Sequence, residues 1–204
     1  MMEILLLFSL VISFLLTILV LPLWIRKTKQ IGFLWEDMNK YKHPKNVAAA
    51  GGIVVVIAFV LGVLYYIAIR TFLIESTTEI SLEIFALLSV ILILAIIGIL
   101  DDLFGWRHGG LSIRMRLGLA FMASIPLVVI NAGNSFINIP FLGLVNFGIL
   151  YPLLLIPIGI VGAATTYNFL AGYNGLEANQ GMIILSSLSF VAYKTGSTWL
   201  SLIG

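Results

Sequence analysis

Two stretches of the chain hold the residue types that could do chemistry. In "GILDDLFGWRHGGLSIRMR", Asp101 and Asp102 stand side by side after an apolar run, with Arg107, Arg114 and Arg116 following. In "TTYNFLAGYNGLEANQG", Asn168, Asn174, Glu177, Asn179 and Gln180 are interleaved with Gly172, Gly175 and Gly181. A carboxylate beside hydrocarbon must be hydrated, paired or bound to a cation. Acids and arginines gathered together suit phosphate and a divalent cation. Mg²⁺ is held by one or two carboxylates plus phosphate oxygens, and Arg offers planar, paired donors to phosphate. Neighbours on a helix point about 100° apart, so one Asp can face a cleft while the other holds a structural partner. The plainer alternatives are a solvated helix end for the Asp pair and turn or cap duty for Asn168 and Asn174.

The elements that must position these residues lie in a membrane. The 204 residues are 61% hydrophobic and only 10% charged, where a soluble domain carries about 25% charged residues. So few charges cannot cover a water-facing surface. The chain has no cysteine, which excludes disulfides and thiolate metal sites. Apolar stretches run over residues 4–25, 48–69, 84–100, 115–130, 141–164 and 182–203. A span needs about 20 residues, with about 17 as the lower limit. The expected fold class is therefore all-α, a polytopic transmembrane bundle of about six spans. Pro152 and Pro157 predict a kink in the fifth. The first stretch is too long for a signal peptide and lacks a basic start and a cleavage site.

Lys and Arg set the orientation. Arg26, Lys27, Lys29, Lys40, Lys42 and Lys45 follow the first span, and Arg107, Arg114 and Arg116 lie between the third and fourth. Alternation puts both groups on one side and leaves Arg70 and Lys194 for the other. The positive-inside rule makes the basic side cytoplasmic and the N-terminus external. Residues 26–47, 101–114 and 165–181 then converge on the cytoplasmic face. His43 and His108 have no partner ligands in sequence and are read as interfacial residues.

"GILDDLFGWR", "GLSIRMR" and "NFLAGYNGLEANQG", in this order and on one side, resemble the polyprenyl-phosphate N-acetylhexosamine-1-phosphate transferases, glycosyltransferase family 4. The last stretch is most similar to the dolichyl-phosphate branch. The resemblance implies that a lipid phosphate attacks the sugar-linked phosphorus of UDP-N-acetylglucosamine. UMP leaves, and a polyprenyl diphosphate N-acetylglucosamine remains, which is the first step of lipid-linked glycan synthesis. It also implies a site that faces the cytoplasm for the nucleotide and opens to lipid for the isoprenoid.

Roles carry over residue by residue. Asn168, opening N-x-LAG, matches a Mg²⁺ ligand of the family, and Mn²⁺ can take the same place. Asn174 matches the residue that holds uracil, where an amide supplies both donor and acceptor. Gly172 and Gly175 would let backbone approach the nucleotide, and Glu177 contacts substrate or braces the loop. Asp101 and Asp102 match the acidic pair near the lipid phosphate, as organisers or as a base. The phosphate's second pKa near ~6 leaves a base little to do. Arg114 stands where the family has a basic residue on the diphosphate, with Arg116 a nearby substitute. Asp37, Asn39 and Lys40 match a D-x-NK motif and place Lys40 among the substrate-binding residues, with Gly51 and Gly52 following.

The sequence departs from the family at Ala48 and Ala49, where Pro-Glu is frequent, and at Asn179 in "EANQG". Family members run longer and carry a further cytoplasmic Asp in the metal site. Residues 1–204 are therefore expected to form one integral membrane domain, the N-terminal part of a longer transferase. The implied partners are UDP-N-acetylglucosamine, polyprenyl or dolichyl phosphate and the bilayer of a plasma or endoplasmic reticulum membrane. A homodimer is compatible, and nothing points to nucleic acid. A transporter or channel fragment and a non-catalytic relative that retains the nucleotide loop are the alternatives.

Overall fold

The computed structural model describes the backbone of residues 2–36, 42, 45–73, 79–139, 141–169 and 175–203. Within these it describes all side chains except those of 2–4, 79, 80, 106–108, 168, 169, 198, 199 and 202. The chain is an all-α polytopic membrane protein. Among the described residues, four helical segments are long and apolar enough to cross a bilayer: Leu5–Ile31, Gly52–Leu73, Ser81–Gly105 and Ile113–Ile130. They belong to helices α1 (Met2–Ile31), α2 (Gly52–Leu73), α3 (Glu79–His108) and the pair α4 (Ile113–Ala123) and α5 (Ile125–Ile130).

The Ser9 and Thr17 hydroxyls of α1 are satisfied within the helix, as hydrocarbon requires. Ser9 Oγ donates to the Leu5 carbonyl at 3.0 Å, and Thr17 Oγ1 to that of Ser13 at 2.8 Å. Gly62 lets α1 and α2 close together, because a Cβ there would strike Ser13 Oγ and lie 2.9 Å from the Ser9 carbonyl. Below this contact Leu5, Leu6, Val63, Tyr66, Ile67, Ile84 and Leu88 form a buried core from α1, α2 and α3. The fourth span breaks at Ser124, whose hydroxyl donates to the Phe121 carbonyl at 2.6 Å. Pro126 enforces the break, since it lacks an N–H and its ring clashes with the preceding turn.

The fifth and sixth stretches differ from the expected boundaries. Strands β3 (Phe136–Ile139) and β4 (Gly143–Asn146) pair antiparallel, so residues 141–146 belong to a hairpin and not to a span. The period-two alternation of these strands, with Gly143 at φ +76, favours a short hairpin over a helix. The apolar helix starts only at Tyr151 and runs to Tyr167. At Pro152 the helix opens with a π-helical turn, Tyr151–Leu155, in which the Ile156 N–H bonds to the Tyr151 carbonyl. Helix α6 (Ile156–Phe169) continues from it.

Helix α7 (Leu176–Lys194) ends well before residue 203. Gly196 at φ +85 closes it: the Ser197 N–H reaches the Ala192 carbonyl at 2.9 Å and the Gly196 N–H that of Tyr193 at 3.2 Å. These are the paired bonds of a glycine-terminated helix. Helix α8 (Thr198–Ile203) folds back on α7, with Ser189 Oγ bonded to the Ser201 carbonyl at 2.6 Å, and Ile203 packs on the α1–α2–α3 core.

Candidate active site

The Asp pair is not a helix end. Helix α3 continues past it to His108, so both carboxylates leave the side of a helix whose apolar part lies within the membrane. The turn between α3 and α4 then folds back over Asp101. Its Oδ1 accepts the Leu111 N–H at 2.8 Å, and Arg116 Nη2 lies 3.2 Å from Oδ2. Arg116 Nη2 also donates to the Leu111 carbonyl at 3.3 Å. Gly110 makes this return fit: it sits at φ +78, and a Cβ there would lie 3.0 Å from Asp101 Oδ1. Ser112 caps α4 by accepting the Met115 N–H at 3.4 Å.

Asp102, by contrast, has no hydrogen-bond or ion-pair partner among the described residues. It is half-buried and lines the same cavity as Asp101 and Arg116. This cavity measures about 380 Å³, within the range of small-molecule sites. Asp101, Asp102, Arg116 and Thr165 form its polar part; Ile53, Val56, Leu94 and Ile97 form an apolar wall. Arg116 Nε is buried without an acceptor, so a donor remains to be satisfied beside the carboxylates.

The segment before α2 seals one edge. Strands β1 (Leu34–Trp35) and β2 (Val47–Ala48) pair antiparallel. Trp24 Nε1 bonds to the Ala49 carbonyl at 3.1 Å, and the Trp35 ring sits on Gly105, where a Cβ would come within 2.9 Å of it. Ala50, in the cavity wall, holds φ +53, an uncommon conformation for a residue with a side chain.

The opposite edge is α6. Ala164 and Thr165 line the cavity, and Asn168 follows them by four and three residues on the same helix, so its position shares their face. Gly175, at φ +75, opens α7; Glu177 sits in its first turn, where the helix dipole favours an acid. The Glu177 side chain is exposed, and its backbone carbonyl accepts the Tyr167 hydroxyl. Lys40, Gly172 and Asn174, with Asp37, Asn39 and His43, lie outside the described residues. So do the side chains of Asn168, Arg107 and His108.

The structure brings Arg116, not Arg114, to the cavity. Arg116 and Ala120 both line it, one helical turn apart on α4, whereas Arg114 is exposed and about 200° around the helix from Arg116. No signal in the sequence separated Arg116 from Arg114 or marked Ala50 and Thr165. Among the described residues, no three His, Cys, Asp or Glu side chains gather to hold a metal ion.

The profile of glycosyl transferase family 4 matches residues 84–204, more than half of the chain and all of α4 to α8. The chain belongs to glycosyl transferase family 4. It is 35% identical over 94% of its length to a provisionally named UDP-N-acetylglucosamine–dolichyl-phosphate N-acetylglucosaminephosphotransferase of Sulfolobus acidocaldarius. Identity to the provisionally named counterpart in Saccharolobus solfataricus is 34% over 95% of the chain. The Dictyostelium discoideum enzyme of the same name is 30% identical over 85% of the chain. The chain spans about half the length of these family members: 56%, 56% and 45%.

Proposed function

We propose that the cavity beside Asp102 is the phosphoryl-transfer site of a phospho-N-acetylhexosamine transferase. The reaction moves N-acetylglucosamine-1-phosphate from UDP-N-acetylglucosamine to a polyprenyl phosphate of the dolichyl type. An oxygen of the lipid phosphate forms a bond to the sugar-linked phosphorus. The bond from that phosphorus to the bridging oxygen breaks, and UMP leaves with the electron pair. The products are UMP and a polyprenyl diphosphate N-acetylglucosamine. The carrying observation is the Asp102 carboxylate, without a partner among the described residues, beside an Arg116–Asp101 pair, in a cavity with one polar and one apolar wall.

Each residue has a separable task. The lipid phosphate is largely dianionic at neutral pH, because its second pKa is near ~6. No base is needed to activate it, and the work left is positioning and charge neutralisation. Arg116, held by Asp101, keeps its buried Nε–H for a phosphate oxygen. The wall of Ile53, Val56 and Leu94 suits the first isoprene units.

Members of this family are in general metal-dependent. The donor types suit Mg²⁺ or Mn²⁺: Asp102 has no partner among the described residues, and Asn168, a carboxamide residue, stands at a position of α6 on the cavity face. Asp101 is already committed to Arg116. A site with so few protein ligands suits an ion that takes its other oxygens from substrate phosphates. When bound, such a cation supplies charge neutralisation on the diphosphate. The placement of Arg26, Lys27, Lys29 and Arg116 at the cavity end of the bundle supports a cytoplasmic face for the site.

The test is transfer of radiolabelled N-acetylglucosamine-1-phosphate to dolichyl phosphate in membranes holding the chain, together with UMP binding to the purified chain by calorimetry. UMP binding that is Mg²⁺-dependent in the parent chain, and weaker and Mg²⁺-independent in Asp102→Asn, is the expected result. A chain that neither binds UMP nor forms the lipid product overturns the reading.

A further inference from the structure

The geometry points to Tyr167 as a positioning residue: its hydroxyl latches the end of α6 to the first turns of α7 and so fixes Asn168 relative to Gly175. This rests on the site proposed above. Among the described residues, the bond from Tyr167 Oη to the Glu177 carbonyl is the one hydrogen bond that joins α6 to α7. Few other contacts hold α7: its residues from Gly175 to Asn179 are exposed, and its main packing partner is α8, at its far end.

The latch depends on a glycine. Residue 181 is four positions beyond Glu177, so its N–H is the helical partner of the same carbonyl. A carbonyl oxygen has two lone pairs and can accept both donors, provided the phenol can reach it. Gly181 supplies that access: a Cβ there would lie 2.5 Å from Tyr167 Oη and 3.7 Å from the ring carbon that carries it. The collision is thus with the hydroxyl itself, so relieving it moves the phenol away from the Glu177 carbonyl.

Tyr167 directly precedes Asn168, and Glu177 follows Gly175 by two residues. A bond between these two points holds together the parts of α6 and α7 that carry the cation and nucleotide groups. Tyr167 itself does not line the cavity. It acts through its neighbours.

The test is a double-substitution cycle on the full chain in detergent, read by amide hydrogen exchange without ligand and by UMP affinity with Mg²⁺. Tyr167→Phe removes only the hydroxyl and Gly181→Ala only the space. Each single variant should speed exchange at residues 176–181 and weaken UMP binding by roughly 3- to 10-fold, the factor that one hydrogen bond's net contribution allows. In the Tyr167→Phe background, Gly181→Ala should do no further harm. It should slow exchange there, because Ala favours helix over Gly. Additive losses, or unchanged exchange in Tyr167→Phe, overturn the latch. Faster exchange with unchanged UMP affinity reduces it to a structural tie and overturns the positioning role. If the unsubstituted chain binds no UMP, the proposed function fails and the positioning role with it, while exchange alone still judges the bond.

Discussion

Arg116 Nη2 lies 3.2 Å from Asp101 Oδ2, so of two adjacent carboxylates one is held by a cation and the other is left open to the cavity. The pair is partly exposed, 34% at the Arg side chain and 21% at the Asp. Its Coulomb contribution is correspondingly modest. The bond from the Leu111 N–H to Asp101 Oδ1 adds a local anchor for the turn. The two acids therefore have different surroundings despite identical chemistry.

Asp101→Ala is expected to lower stability by about 1–3 kcal/mol, since it leaves the Leu111 N–H and Arg116 without their acceptor. Asp102→Asn should leave stability within about 0.5 kcal/mol of the parent while lowering transfer by about 100-fold or more. Thermal unfolding in detergent beside the transfer assay checks both. The reverse pattern would exchange the duties of the two residues.

The two arginines of α4 should separate as cleanly. Arg116→Ala is expected to cost at least ~30-fold in transfer, and Arg116→Lys nearly as much, because an ammonium cannot replace a planar fork held on a carboxylate. Arg114→Ala should change the rate less than about threefold, as an exposed residue off the cavity face. A large loss in Arg114→Ala alone would return the diphosphate role to that residue.

Gly62 should resist a substitution that normally stabilises helices. Gly→Ala in a helix gains up to about 1 kcal/mol from propensity alone. Gly62→Ala should instead lose about 1–3 kcal/mol, because the new methyl meets Ser13 Oγ and the Ser9 backbone carbonyl. Gly118→Ala, with nothing within 4 Å of its added carbon, is the control and should hold or raise the unfolding temperature.

Orientation is accessible because the chain has no cysteine of its own. A cysteine at Ser112, beside the Asp pair, should react with an impermeant thiol reagent only from the cytoplasmic side. One at Ser135, before the β3–β4 hairpin, should react only from outside. Opposite labelling would turn the cavity away from its proposed nucleotide substrate.

Cation removal should act on nucleotide binding through Asp102 and Asn168. Chelation is expected to weaken UMP binding to the parent chain but not to Asp102→Asn, and Asn168→Ala should raise the Mg²⁺ concentration needed for half-maximal binding. Equal chelator sensitivity in all three would remove these residues from the cation site.

The class of the molecule was decided by composition, because a chain with so few charges has no way to cover itself with water. The first four spans could be read from apolar length alone, since a bilayer sets that length directly. The Asp pair and the Asn-rich stretch were also legible, as polar groups beside hydrocarbon need a reason. Periodicity could not show that α3 runs on past Asp102, or that Gly196 turns the last segment back on itself, because both depend on what the following residues pack against. Nor could it say which Asp is paired and which arginine reaches the cavity. Residues 101, 102, 114 and 116 are close in sequence and alike in type. Only the fold of the Gly109–Ser112 turn over Asp101, and the face that α4 then presents, gives Asp101 its partner and leaves Asp102 without one among the described residues.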